Sequence, residues 1–260
     1  MTLTPTRDGA RLLEADDVRR ALDAVLDPEL DEPITDLGFV RSVDLAADGS
    51  VEVHLRLPTS FCSPNFAYLM VSDAKDALTA ITAGRVVVEL DDHHDSEIIN
   101  RGLAADAGYK GTFGGEAERD LEELRATFRR KAHTAAMERC LTGLLRAQPD
   151  LAEAALGTVT MGELPAGALT EALRRRRTAL GLPDTPDALV LVDEHGAGYP
   201  PEEVPLRLRR ARSTRISIDG NAHFCRGLLR TRYPGSGADQ SDRPEPTFIP
   251  LTDLSHQEDR

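Results

Sequence analysis

The sequence has no tryptophan, and phenylalanine and tyrosine are scarce, so that aromatics make up 4% of the chain. With 40% hydrophobic residues a core is still possible, but it must be mainly aliphatic. Only three cysteines are present, Cys62, Cys140 and Cys225. They are odd in number and far apart, which excludes a disulfide framework and predicts free thiols in a reducing compartment. No apolar run approaches the ~20 residues that a membrane span needs. The opening "MTLTPTRDGARLLEADD" lacks the cationic, apolar and small-residue succession of a signal peptide, so a cytoplasmic location and no membrane partner are expected.

Positive charge is also in short supply. Over the 260 residues the formal net charge is −13. The imbalance lies at the front: residues 1–103 hold 20 acidic and 9 basic side chains, residues 104–260 hold 24 and 22. Phosphate backbones need a cationic surface, so a nucleic-acid partner is not expected, whereas a basic protein client remains open.

Apolar spacing supplies the elements. "EADDVRRALDAVLDPEL" carries Val18, Leu22, Val25 and Leu26 at helical intervals, with Asp16 or Asp17 as cap and Pro28 marking the end. "DLGFVRSVDLAADGSVEVHLRLP" reads as a β-hairpin turning at Asp48-Gly49. "PNFAYLMVSDAKDALTAI" reads as an amphipathic helix with proline in its first turn, closed at Gly84, and "RVVVEL" as a third strand. The fold class is therefore α+β, an α-β-β-α-β domain with a three-stranded sheet and its helices on one face. Beyond it "GYKGTFGG" reads as a glycine-rich connection, a long helix follows through Leu121, Leu124, Phe128, Ala132, Cys140 and Leu144, and "AGALTEALRRRRTALG" forms another helix. "DALVLVD" and "STRISID" read as short strands and "NAHFCRGLLRTRY" as a short helix. The expected organisation is a flexible leader (1–13), the α+β domain (14–103), a mainly helical extension (104–233) and a disordered tail (234–260).

The segment "LPTSFCSPNFAYLM" places Cys62 between a strand and a helix. It is either a small residue filling a turn or a thiolate among unpaired helix N–H groups, where the dipole favours an anion and Ser60 and Ser63 can donate to sulfur. Upstream, "DPELDEPITDLGFV" carries Asp27 and Asp36, which suit turns beside proline and glycine. Together "LDPEL", "ITDLGFV", the alternating strand ending in "LPT", and Cys62 two residues ahead of Pro64 resemble the iron–sulfur cluster assembly domain family, which includes SufT-like and PaaD-like proteins. The resemblance covers about residues 15–91. It implies that Cys62 is the functional residue, and Asp27, Asp36, Ser60 and Ser63 are then expected to shape its loop. It departs from the usual pattern in one place, Ser63 between the cysteine and the proline.

Other candidates are weaker. In "DDHHDSEIIN", a helix starting at Asp92 would put His93 and Glu97 on one face, with His94 and Glu97 as i,i+3 neighbours, a donor set suited to iron, zinc or manganese. A start near Ser96 would instead leave capping residues and a solvated acidic face. "NAHFCRG" holds His223 and Cys225; Cys225 is either a core residue or, if it approaches Cys62, a second thiolate for one metal or cluster. Cys140 belongs to a helix's apolar stripe and reads as core. The runs "RRRR" (174–177) and "RLRRARSTR" (207–215) read as solvated faces or as docking groups for the acidic domain or a client. No phosphate-binding loop and no local nucleophile–His–Asp signature is present.

The resemblance implies a non-enzymatic factor that assembles or delivers an iron–sulfur cluster, or iron, to a client metalloenzyme, with a multicomponent oxygenase as the expected client and a cluster carrier protein as a further partner. The competing reading is a scaffold subunit that binds such partners without metal. Edge strands of a small sheet leave room for a homodimer.

Overall fold

A computed structural model describes residues 13–114 and 121–236. Most of the expected leader, and the expected tail from residue 237 onward, lie outside the described residues.

The first helix, α1 (Ala15–Asp23), is closed by Glu14 rather than by Asp16 or Asp17. Glu14 accepts from the N–H of Asp17, whose carboxylate accepts in return from the Glu14 N–H, a reciprocal box that two acidic residues can build as well as a serine–glutamate pair. The helix stops at Asp23, five residues short of Pro28.

Strands β1 (Val40–Leu45) and β2 (Val51–Arg56) pair antiparallel, and β2 pairs in parallel with β3 (Val86–Asp91), so β2 is central and the order is β1-β2-β3. Alternation fixes the buried side: Val51, Val53, Leu55, Val88 and Leu90 face the core, while Glu52, His54 and Asp91 form a polar outer face on which His54 Nδ1 meets Asp91 Oδ1 at 3.0 Å. Helix α2 (Pro64–Thr79) packs Ala67, Met70, Val71, Ala74 and Leu78 onto that core. The hairpin turns at Asp48-Gly49, where Gly49 has φ +82°.

The loop before β3 closes against this turn backbone to backbone. A Cβ at Gly84 would stand 2.4 Å from the carbonyl carbon and oxygen of Gly49. Gly84→Ala is therefore expected to lower unfolding stability by about 2 kcal/mol, because the Val51 N–H to Arg85 carbonyl bond (2.8 Å) leaves the two loops no room to part. Urea unfolding checks this.

After β3 come α3 (Ser96–Ala104) and a six-residue helix, α4 (Gly108–Phe113). The latter corrects the expected glycine-rich connection. Tyr109 and Phe113 pack their rings on Tyr68 at 5.3 and 5.9 Å, and that packing outweighs the poor helix propensity of Gly108 and Gly111. The extension continues with α5 (Leu121–Ala147), α6 (Ala168–Leu180, ended by Gly181 at φ +67°) and α7 (Val204–Arg232).

Helix α7 overturns two expectations. "STRISID" is not a strand and "NAHFCRGLLRTRY" is not a separate helix; both are parts of this 29-residue helix. "DALVLVD" is not a strand either. Leu189 and Val192 make only isolated bridges, and the carbonyls of Pro183 and Leu189 accept instead from the guanidinium of fully buried Arg177.

Two cores result. One lies between the sheet, α1 and α2, and includes Ala222 and Leu229 of α7. The other lies among α5, α6 and α7, with Cys140 buried inside it. The acidic front and the basic extension meet through ion pairs: Arg125 grips Asp73 with two bonds of 2.6 and 2.9 Å, Arg176 holds Asp31, and Arg226 holds Glu32. Part of "RRRR" thus docks on the acidic domain, while Arg174 pairs locally with Asp184 and Arg177 is core. Order also reaches past the expected tail boundary at residue 234. Ser236 is buried and its hydroxyl donates to the Leu229 carbonyl, at a spot where Gly38 (φ +77°) leaves room for the chain.

Candidate functional site

Cys62 sits where β2 gives way to α2. The strand ends at Arg56, residues 57–63 turn, and Ser63 precedes the first helical residue, Pro64. Proline suits this place because its missing N–H leaves no bond unmade in a first turn. The Cys62 side chain is half-buried against the first core. Its sulfur lies 3.4 Å from the hydroxyl of Thr59, a partner that only its nearness in the chain could have suggested.

The two serines expected to donate to sulfur do other work. Ser60 Oγ accepts from Arg232 at 2.8 Å, and the Ser63 carbonyl accepts from the N–H groups of Phe66 and Ala67. Asp36 is exposed in the turn before β1. Asp27 does shape a loop: its Oδ1 accepts from the N–H groups of Glu29 (2.9 Å) and Leu30 (2.8 Å). Burial pushes the Asp27 carboxyl up to about 6 against those two lowering bonds, with Glu29 and Glu32 adding to the rise.

The segment after β3 reaches Cys62, though not as a ligand set. The third helix starts at Ser96, so His93 and Glu97 do not share a helical face. His93 is buried, and its Nδ1 accepts from the Asp95 N–H at 3.0 Å. That leaves Nε2 as the protonated nitrogen, which donates to the Cys62 carbonyl at 2.8 Å. His94 gives its backbone N–H to the Ser60 carbonyl and lays its ring near the exposed Phe61, centroids 5.7 Å apart. Glu97 is exposed. Among the described residues, no group of three or more His, Cys, Asp or Glu side chains is placed to hold a metal ion. His93 is a brace for the Cys62 loop. His93→Leu keeps the bulk and removes the brace; it is expected to reduce stability by about 1–2 kcal/mol and to speed alkylation of Cys62 by iodoacetamide.

The end of α7 forms the other wall. Asn221 donates to Glu29 at 3.1 Å, Arg226 binds Glu32, and Arg232 binds the carbonyls of Leu57 and Asp92 as well as Ser60. Tyr233 completes the seam with a bond to Asp92 at 3.1 Å. Cys225 lies between these anchors, half-buried against the same core as Cys62. Burial raises its thiol to about 11, with the neighbouring acidic groups Asp27 and Glu29 adding to the rise. His223 is exposed on the other side of the helix. Sequence reasoning missed Arg232 and Tyr233, because nothing in "LLRTRY" signals a contact so far back in the chain.

Residues 15–90 match the family of iron-sulfur cluster assembly proteins. Over 60 residues the chain is 48% identical to the iron-sulfur cluster carrier protein of Mycobacterium tuberculosis, and the same holds for that of Mycobacterium bovis. The carrier of Mycobacterium leprae is 43% identical over 56 residues. These stretches cover 23% and 22% of this chain and only 15% and 14% of the carriers' own length. No solved structure matches. The matched residues end in β3, so the clamp made by α7 lies outside them.

Proposed function

We propose that this protein carries an iron–sulfur cluster, or its iron, to client metalloenzymes, with the Cys62 thiolate as the point of attachment. The observation that carries the reading is the placement of Cys62: the only cysteine of the matched domain, half-buried at its rim, on a loop held by His93 from below and Arg232 from the side. A thiolate is the natural ligand for such cargo. A braced loop fixes the sulfur's position without surrounding it.

The donor set fits carriage better than storage. A [2Fe–2S] cluster takes about four cysteine ligands, and the described residues place no such group around Cys62. Incomplete ligation leaves positions that an acceptor, a cluster carrier protein or a second copy of the chain can fill, and that is the condition for transfer. Among clients, a multicomponent oxygenase is the class that the sequence resemblance favours. The described residues include no helix long and apolar enough to cross a membrane.

The scaffold reading shares one feature with delivery. Phe61, directly before Cys62, is 80% exposed and open to a partner protein. Both readings use that contact; only delivery needs the sulfur. The test is anaerobic reconstitution followed by transfer to an apo-ferredoxin, monitored by the acceptor's visible circular dichroism. Transfer faster than from free iron and sulfide supports delivery. Equal rates leave the scaffold reading.

A further inference from the structure

We propose that a cleft between the sheet domain and the helical extension binds a small organic anion with an apolar body, held by Arg129 and Arg175. This is a second site, and it does not rest on the delivery reading.

The run "RRRR" points to it. Arg174 pairs with Asp184, Arg176 holds Asp31, and Arg177 is buried in the second core, so three of the four arginines have structural work. Arg175 has none. It is exposed and makes no hydrogen bond or ion pair among the described residues, and the same is true of Arg129 on α5. Both line one cleft of 620 Å³, walled by the 23–33 segment, α2, α5 and α6. Residues 57–63 contribute nothing to its lining, so the cleft is separate from the Cys62 loop.

Much of the lining is apolar, from Leu26, Pro28, Pro33, Leu69, Phe128 and Ala132. Leu26 is 41% exposed there, an aliphatic surface left bare to water. The walls are already in place. Leu26 and Pro33 bridge backbone to backbone, the Asp27 N–H donates to the Glu32 carbonyl at 2.9 Å, and Phe128 is held edge-on by Phe66 with centroids 4.9 Å apart. A preformed apolar cleft of several hundred Å³ with a few placed polar groups is the usual form of a small-molecule site.

Partnering decides the sign of the ligand's charge. Four aspartates also line the cleft, and each has a donor within the chain: Asp73 has Arg125, Asp31 has Arg176, Asp23 has the Thr35 hydroxyl, and Asp27 has the N–H groups of Glu29 and Leu30. Arg129 and Arg175 are the charged lining groups left without a partner among the described residues. A carboxylate, sulfonate or phosphate group presents the acceptors that a planar guanidinium takes, while the rest of the ligand covers the apolar lining.

Titration of the full chain with anilinonaphthalene sulfonate, an aromatic anion that brightens in apolar surroundings, tests this. One saturable site is expected in the parent, in Cys62→Ser and in Arg209→Gln, a change at an exposed α7 arginine outside the cleft. The double variant Arg129→Gln, Arg175→Gln is expected to bind about 10-fold or more weakly, with the urea unfolding midpoint unchanged. Naphthoate should displace the probe from the parent, and naphthalene methanol, the same rings without the charge, should be weaker by about 10-fold or more. That displacement series needs no variant and decides the matter if the double variant does not fold. Parental affinity in the double variant, no saturable site in the parent, equal displacement by the alcohol, or a matching loss in Cys62→Ser would each overturn the proposal.

Discussion

Cys62→Ser removes cluster transfer and leaves the fold intact. The expected rate falls to that of free iron and sulfide, while urea unfolding stays within about 0.5–1 kcal/mol of the parent. The small structural effect follows from the site. The side chain is half-buried, serine is close to it in shape, and the Thr59 hydroxyl can bond to an oxygen as readily as to sulfur. The braces act on the backbone carbonyl of residue 62 and on Ser60, neither of which the substitution touches. The functional effect is large because a hydroxyl, ionising far above neutral pH, does not replace a thiolate toward iron. A variant that transfers at the parental rate would make the protein a scaffold.

Acidity should reveal two buried groups that mask each other. The carboxyl of Asp27 titrates at about 6 in the folded protein against 3.8 for an ordinary aspartate, because burial disfavours its charge. Between those values the unfolded chain gives up a proton that the folded protein keeps, so stability falls as pH rises from about 4 to 6. His133 does the reverse. Burial, with Arg177 and Arg176 nearby, brings its imidazole down to about 4 from 6.5, so its contribution is complete above 6.5 and is lost as pH falls toward 4. Each effect is on the order of 3 kcal/mol, with opposite sign over nearly the same window. Asp27→Asn keeps the two loop bonds, since its amide oxygen still accepts, and removes the charge. Relative to the parent, the metal-free variant should gain stability between pH 4 and 6 and keep the gain at pH 7.5. His133→Leu should show the mirror image, a benefit at pH 4 that disappears above 6.5. Parallel stability–pH curves for parent and variant would show that the buried group titrates as it does in water.

The fold of residues 15–91 was legible because its signals are local. Asp48-Gly49 between two alternating runs specifies a hairpin, and Pro64 behind Cys62 specifies where a helix begins. The extension was harder. In "STRISID", Ile216 and Ile218 alternate like a strand, yet Ile216 is 56% exposed and only Ile218 is buried. The longer stripe Val204, Leu208, Ala211, Ile218, Ala222, Cys225 and Leu229 has helical spacing and decides the matter once the window is wide enough. Likewise Val190, Leu191 and Val192 are buried as a strand would bury them, but a buried arginine takes the carbonyls that a neighbouring strand would have used.

The site divides in the same way. Cys62 announces itself by position between two elements. The histidines after β3 suggested ligands, and His93 instead spends both ring nitrogens on backbone groups, a role set by a positive-φ residue, Asp92 (φ +52°), that bends the chain back toward residue 62. The contribution of α7 was invisible because it depends on Asn221, Arg226 and Arg232 finding partners near the front of the chain.

The whole account depends on sulfur at residue 62 gripping the cargo. Iron and acid-labile sulfide analysis of anaerobically isolated protein, compared with Cys62→Ser prepared in the same way, addresses this directly. Iron and sulfide are expected in near-equal amounts with the parent and neither with the variant. The same content in both proteins would contradict it.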